Sequence, residues 1–86
     1  MPTNKKVAIY TTPTCTYCRQ TKEFFKASGV GYEEHNVFTD LARRQEMVTK
    51  SGQMGVPVIT VSEADGSNES VVVGYNRAKL ADLLGL

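Results

Sequence analysis

The sequence predicts an α/β domain built on one mixed sheet with helices packed on it. Three observations carry the prediction. Short runs rich in β-formers alternate with longer segments whose apolar residues recur every three or four positions. The first two runs are separated by a stretch long enough for a helical crossover, which implies a right-handed βαβ unit with parallel strands. Asp65-Gly66 then stands between two valine-rich runs, a hairpin signal. The resulting order is β-α-β-α-β-β-α, with no linker inside.

Residues 7–11 form a nearly continuous apolar run, as expected of a strand buried on both faces. Pro13 biases Thr12 to an extended conformation and ends that strand. Residues 16–28 then read as a helix, with Cys18, Thr21, Phe25 and Ser28 on one face and Phe24 and Ala27 beside them. Gly29 suits the left-handed position after a helix. Residues 31–37 read as a second, partly exposed strand. Thr39 is the expected N-cap of the next helix, with Asp40 in its first turn. Leu41, Arg44, Met47 and Val48 supply its stripe, and Ser51-Gly52 its end. Residues 57–61 make the third strand and 70–73 the fourth. Asn76 caps a last helix whose Leu80, Leu83 and Leu84 point inward.

A chain of 86 residues is read as one domain, residues 1–86, and must fold around a compact core. With 41% hydrophobic and 22% charged residues it has the composition of an ordinary soluble globule. Its net charge is +1 and its basic residues are scattered, unlike the basic stripe of a nucleic-acid binder. Lys5 and Lys6 precede only four apolar residues before Thr11, too few for a signal-peptide core or a membrane span. A cytoplasmic setting follows as the expectation. Thiols are kept reduced there, so a close cysteine pair points to redox or metal chemistry before a structural bridge.

Both cysteines of the chain, Cys15 and Cys18, lie three residues apart where the first strand gives way to the first helix. The thiolate is the nucleophile in disulfide exchange, and a free thiol is mostly protonated at neutral pH. Cys15 sits at the expected helix N-terminus, where unpaired N–H groups and the dipole favour an anion. This assigns Cys15 as the attacking thiolate and Cys18, better shielded one turn into the helix, as the resolving thiol. Lys22, one turn past Cys18, either adds positive potential or is a solvated surface lysine. A Cu(I)-transfer domain also places a cysteine pair between strand and helix. Pro13 stands two before the first cysteine where such domains carry methionine, and a second helix here separates strands two and three. Zinc would need two further ligands, and the single histidine, His35, stands alone in a strand-like segment.

Ile9-Tyr10-Thr11, then Cys15-Thr16-Tyr17-Cys18, Lys22, Gly55-Val56-Pro57 and Gly74-Tyr75 together resemble the glutaredoxin branch of the thioredoxin-like superfamily. The resemblance spans nearly the whole chain. It implies a thioredoxin-like (glutaredoxin) fold, a four-stranded mixed sheet of order 2-1-3-4 flanked by three helices. The activity implied is dithiol-disulfide exchange on a disulfide-containing protein or mixed disulfide, without a metal or tightly bound cofactor, in a monomer that binds neither nucleic acid nor membrane. Thr16, Tyr17, Lys22, Gln53, Val56, Pro57, Gly74 and Tyr75 are the implied substrate or glutathione contacts. Pro57 would be cis, leaving Val56 free to pair with a passing peptide like a strand edge. Some glutaredoxins assemble an iron–sulfur cluster between two chains, which makes an iron–sulfur or Cu(I) binding module the alternative reading.

Three departures stand out: the first bears on thiolate stability and redox poise, the other two on the reductant. Thr16 replaces the proline of the usual family motif, Cys-Pro-Tyr-Cys, and Thr12 stands where glutathione users commonly carry lysine. Val73-Gly74-Tyr75-Asn76-Arg77 replaces the Gly-Gly-x-Asp-Asp segment that receives the γ-glutamyl end, so both carboxylates are missing. An ammonium without those partners binds more weakly. The Gly-aromatic step is instead similar to the glutaredoxin-like hydrogen donors of ribonucleotide reductase, which a flavin-dependent thioredoxin reductase reduces. The electron donor is thus glutathione or a thioredoxin reductase.

Overall fold

A computed structural model gives the fold and describes residues 5–53 and 55–85. In chain order the elements are β1 (Lys6–Thr11), α1 (Thr16–Ala27), β2 (Glu33–Asn36), α2 (Leu41–Ser51), β3 (Val58–Ser62), β4 (Ser70–Val73) and α3 (Arg77–Leu84). The sheet order is β2-β1-β3-β4. β1 runs parallel to β2 and antiparallel to β3, and β3 is antiparallel to β4. The fold is thioredoxin-like, with three helices on a four-stranded mixed sheet.

Alternation along the strands divides the core in two. Val7 and Ile9 of β1, Ile59 and Val61 of β3 and Val72 of β4 point to one face, where they pack with Phe25 of α1 and Leu80 and Leu84 of α3. Tyr10 and Val58 point to the other face and meet Met47 of α2. Below that second core, a polar cleft of about 190 Å³ is lined by Lys6, His35, Arg43, Glu46, Lys50 and Glu69, among others. Burial pushes the Tyr10 phenol above its ordinary pKa, and the Arg43 hydrogen bond holds the Glu46 carboxyl below its own. Lys50 bridges Glu46 of its own helix and Glu69 of the β3–β4 hairpin (3.3 and 2.9 Å), tying α2 to the sheet.

Several expectations need correction. Asp40, not Thr39, caps α2: its backbone is extended and its Oδ1 accepts from Arg43 N at 3.1 Å. Thr39 belongs to the preceding turn, closed by Asp40 N donating to Asn36 O at 2.9 Å. Of the α2 stripe only Met47 is buried, while Leu41 is 69% exposed and Arg44 faces solvent, because α2 rests on the sheet through its second half. β2 is shorter than residues 31–37; as an edge strand it pairs only with β1, at Glu33 to Asn36. β3 begins after Pro57 and runs on to Ser62, and β1 begins at Lys6. Residues 7–11 are not buried evenly, since Ala8 faces the polar cleft. Helix α1 ends at Ala27, which is exposed, with Ser28 as its C-cap and Gly29 left-handed at φ 71°. Asn76 caps α3, accepting from Lys79 N at 3.1 Å.

Candidate active site

The strand register determines where the functional segments meet. Thr11 pairs with Asn36, Tyr10 with Val58 and Val58 with Val73. The turn after β1, the residue pair before β3 and the residues after β4 therefore gather at one end of the sheet. That end carries Cys15 and Cys18, Val56 and Pro57, and Gly74 and Tyr75.

Pro13 and Thr14 form an exposed turn closed by Cys15 N donating to Thr12 O at 3.3 Å. Cys15 is the N-cap of α1, with extended backbone at φ −84° and ψ 111°. Its Sγ takes the place of a capping oxygen, accepting from Cys18 N at 3.1 Å. Cys15 and Cys18 are joined as a disulfide with Cα atoms 5.2 Å apart, so the oxidised form is the one described. Cys15 is half-buried and reachable, whereas Cys18 is only 1% exposed. On reduction the same N–H and the same helix end favour negative charge on Cys15. Burial opposes it on Cys18.

The helix is anchored beneath the pair. Thr21, wholly buried, donates its hydroxyl to Tyr17 O at 2.8 Å, and Phe25 is buried one turn further on. Thr16 and Tyr17 remain exposed, Tyr17 at 61%. The Val56–Pro57 peptide bond is cis, and Pro57 is buried. Its carbonyl accepts from Gly74 N at 2.8 Å, which joins two of the expected contact residues directly. Gly74 holds φ 78°, a conformation that suits glycine. Among the described residues, no hydrogen bond reaches the Val56 backbone.

The remaining expected contacts are distributed less evenly. Lys22 Nζ donates to Glu34 Oε2 at 2.9 Å, so its charge is already engaged. Gln53 is exposed between α2 and β3, with its backbone carbonyl accepting from Ser51 Oγ at 3.0 Å. Tyr75 packs its ring against Phe24 at 6.5 Å, and the Arg77 guanidinium lies 5.6 Å from the same ring. His35 is half-buried against Tyr10 in the cleft on the α2 face, while the cysteine helix lies on the other face. Among the described residues no group of three or more His, Cys, Asp and Glu side chains is placed to hold a metal.

Glu34 belongs beside this site and was not singled out from sequence, and Thr11 beside it entered there only as part of the resemblance, with no role assigned. Thr11 Oγ1, buried, donates at 2.8 Å to the same Glu34 oxygen that receives Lys22. Lys22's hydrogen bond, seconded by Thr11's, holds the Glu34 carboxyl below the ordinary range against partial desolvation. Period-two alternation could have put Glu34 on the α1 face, but its partners follow only from the tertiary register.

A sheet of this order with a dithiol at the N-terminus of α1 and a cis-proline strand beside it defines a thioredoxin-like redox protein. A family model described as Glutaredoxin matches residues 7–64. The chain is 40% identical to an uncharacterised glutaredoxin-like 8.6 kDa protein of the rubredoxin operon of Clostridium pasteurianum, over 91% of this chain and 96% of that one. It is 38% identical to glutaredoxin 3 of Escherichia coli K12 over 64% of this chain and 66% of the relative. The crystal structure of a glutaredoxin from Archaeoglobus fulgidus superposes with a TM-score of 0.75 at 30% identity, covering 91% of this chain and 84% of that one. The chain belongs to the glutaredoxin family and is a CxxC thiol-disulfide oxidoreductase.

Proposed function

We propose that this protein is a reductant of protein disulfides, with Cys15 as nucleophile and Cys18 as resolving thiol. The carrying observation is the Cys15 Sγ at the helix cap, reachable and bonded to Cys18 N, above a buried Cys18. The Cys15 thiolate attacks one sulfur of the substrate disulfide, forms a mixed disulfide and releases the other sulfur as a thiolate, which takes a proton. The Cys18 thiolate then attacks Cys15 Sγ, closes the internal disulfide and releases the second substrate thiol. Two electrons have passed to the substrate.

Two features support a macromolecular substrate. Tyr17, Phe38, Leu41 and Val73, the exposed large apolar residues among those described, all lie at the cysteine end of the sheet or on segments leaving it. The open Val56 backbone offers strand-like pairing to an extended segment. Thr16, Tyr17, Lys22, Gln53, Pro57, Gly74 and Tyr75 complete the contact set in this reading.

A flavin-dependent thioredoxin reductase is the electron donor we favour over glutathione. Asn76 spends its side-chain oxygen capping α3, and Arg77 puts a cation where a γ-glutamyl ammonium would need carboxylates. The protein acts as a cytoplasmic monomer with no tightly held cofactor. Among the described residues, no helix is long and apolar enough to cross a membrane.

The test has two arms. Cys18→Ser should trap a mixed disulfide through Cys15, whereas Cys15→Ser should trap none; the reverse pattern would exchange the roles. The oxidised protein is then offered glutathione with its reductase, or thioredoxin reductase with NADPH. Faster turnover with glutathione would overturn the choice of donor.

A further inference from the structure

Glu34 lies on the edge strand β2 and points to the face that α1 covers, opposite to Glu33 and His35 in the polar cleft. Its carboxylate stays partly open to solvent, and two other elements supply it with partners. Thr11, the last residue of β1 before the cysteine turn, and Lys22 of α1 both donate to Glu34 Oε2. Ammonium and hydroxyl therefore sit within two hydrogen-bond lengths of each other, against the strand end from which the cysteine loop departs.

Lys22 is seven residues past Cys15 and four past Cys18, so all three lie along one side of α1. Helical side chains lean toward the N-terminus, in this helix toward the sulfurs. An unpaired ammonium here would add directly to the positive end of the helix. Paired with Glu34, it presents a nearly neutral couple instead.

We propose that Glu34 is a positioning residue that holds the Lys22 ammonium off the cysteine pair and so limits how readily Cys15 ionises. The inference rests on the reading of Cys15 as nucleophile. The other charges on α1 are Lys26, a turn further along, which also acts on Glu34, Arg19, one turn past Cys15, and Glu23, next to Lys22. The β1 neighbours of Glu34, Ile9 and Thr11, carry no charge. Neither Arg19 nor Lys26 is altered by the substitutions below.

The test is the pH profile of iodoacetamide alkylation of Cys15 at low salt, in a Cys18→Ser background so that a single thiol reacts. Seven helical residues span about 10 Å. One uncompensated charge at that range should change the Cys15 ionisation constant by about two- to tenfold. Glu34→Gln should move the profile to the acid side by that factor. Lys22→Met, which strips Glu34 of its partner, should move it to the alkaline side, and the double variant should return close to the parent.

A merely structural Glu34 would lower the melting temperature without shifts of opposite sign that cancel. The proposal is overturned if Glu34→Gln leaves the profile in place or moves it to alkaline pH, or if its shift persists without Lys22. Should Glu34→Gln fold poorly, Lys22→Met on the surface of α1 decides alone, and an unmoved profile counts against the proposal. Alkylation needs neither substrate nor reductase. Failure of the oxidoreductase reading would show instead as absent turnover in the unmodified protein.

Discussion

Thr16→Pro is the substitution whose outcome the geometry determines most closely. Thr16 is the first residue of α1, where a backbone N–H has no intrahelical acceptor and proline's fixed φ is already helical. A proline also restricts the residue before it to extended backbone, and Cys15 already occupies φ −84° and ψ 111°. The hydrogen bond to Cys15 Sγ comes from Cys18 N, not from Thr16, so it survives the change. The remaining effect is entropic: an accommodated proline stabilises by about 0.4–1 kcal/mol through the unfolded chain. For a domain of this size that is a rise in Tm of about 2–8 °C. Thermal melts of the reduced protein, parent against variant, measure it. A Tm that falls would show that Cys15 does not hold the capping geometry from which its ionisation was argued.

Gly74→Ala should destabilise by about 1–2 kcal/mol, because φ 78° is costly for a residue with a Cβ although the added carbon meets no atom within 4 Å. Urea midpoints measure it, and an unchanged midpoint would mean the Pro57–Gly74 link is not held in this conformation. Asp40→Ala should cost about 1 kcal/mol by removing the α2 cap, whereas Thr39→Ala should cost little; equal effects would return the cap to Thr39. Glu34 and Glu46 are both held below their ordinary values, by Lys22 and Arg43 first. Their stabilisation is therefore present above the unfolded value of about 4.3 and lost as pH falls through the folded one. Both carboxylates are partly exposed, so each contributes less than about 1 kcal/mol. Glu46→Gln should flatten the fall of Tm below about pH 4.5, and an acid limb as steep as the parent's would contradict that sign.

The element order was legible because each run carries its own period and each boundary its own residue. Gly29 is left-handed as expected after α1, Asn76 caps α3, and the Val56–Pro57 bond is cis as the family resemblance implied. Neighbouring residues compete for one boundary, and sequence alone ranks them poorly. Thr39 and Asp40 are both good caps, and the choice depends on a turn that Asn36 closes on Asp40. Sheet register was not legible, and with it went Glu34, since its link to Thr11 and Lys22 depends on β2 lying against β1 with Ile9 opposite Glu34. Lys22 read from sequence either as a charge near the cysteines or as a solvated lysine, and the strand that engages it lay beyond any local motif.

Where periodicity failed is itself informative. Leu41 holds a stripe position on α2 yet stands 69% exposed, and its neighbour Phe38 is 72% exposed in the turn before it. Burying either would require the first turn of α2 to fold down over the end of the sheet. The β2–α2 turn prevents this, because Asn36 accepts from Asp40 N through its carbonyl and from Phe38 N through its side chain. Two apolar side chains are thus kept in water by a turn that starts where β2 pairs with the last residue of β1. Departures from local rules are expected where function constrains a chain. These fall at the end of the sheet where Cys15 must meet a substrate. A γ-glutamyl tripeptide is small and charged and would make little use of such side chains, whereas under the proposed function a folded partner presenting a disulfide would cover them as it docks.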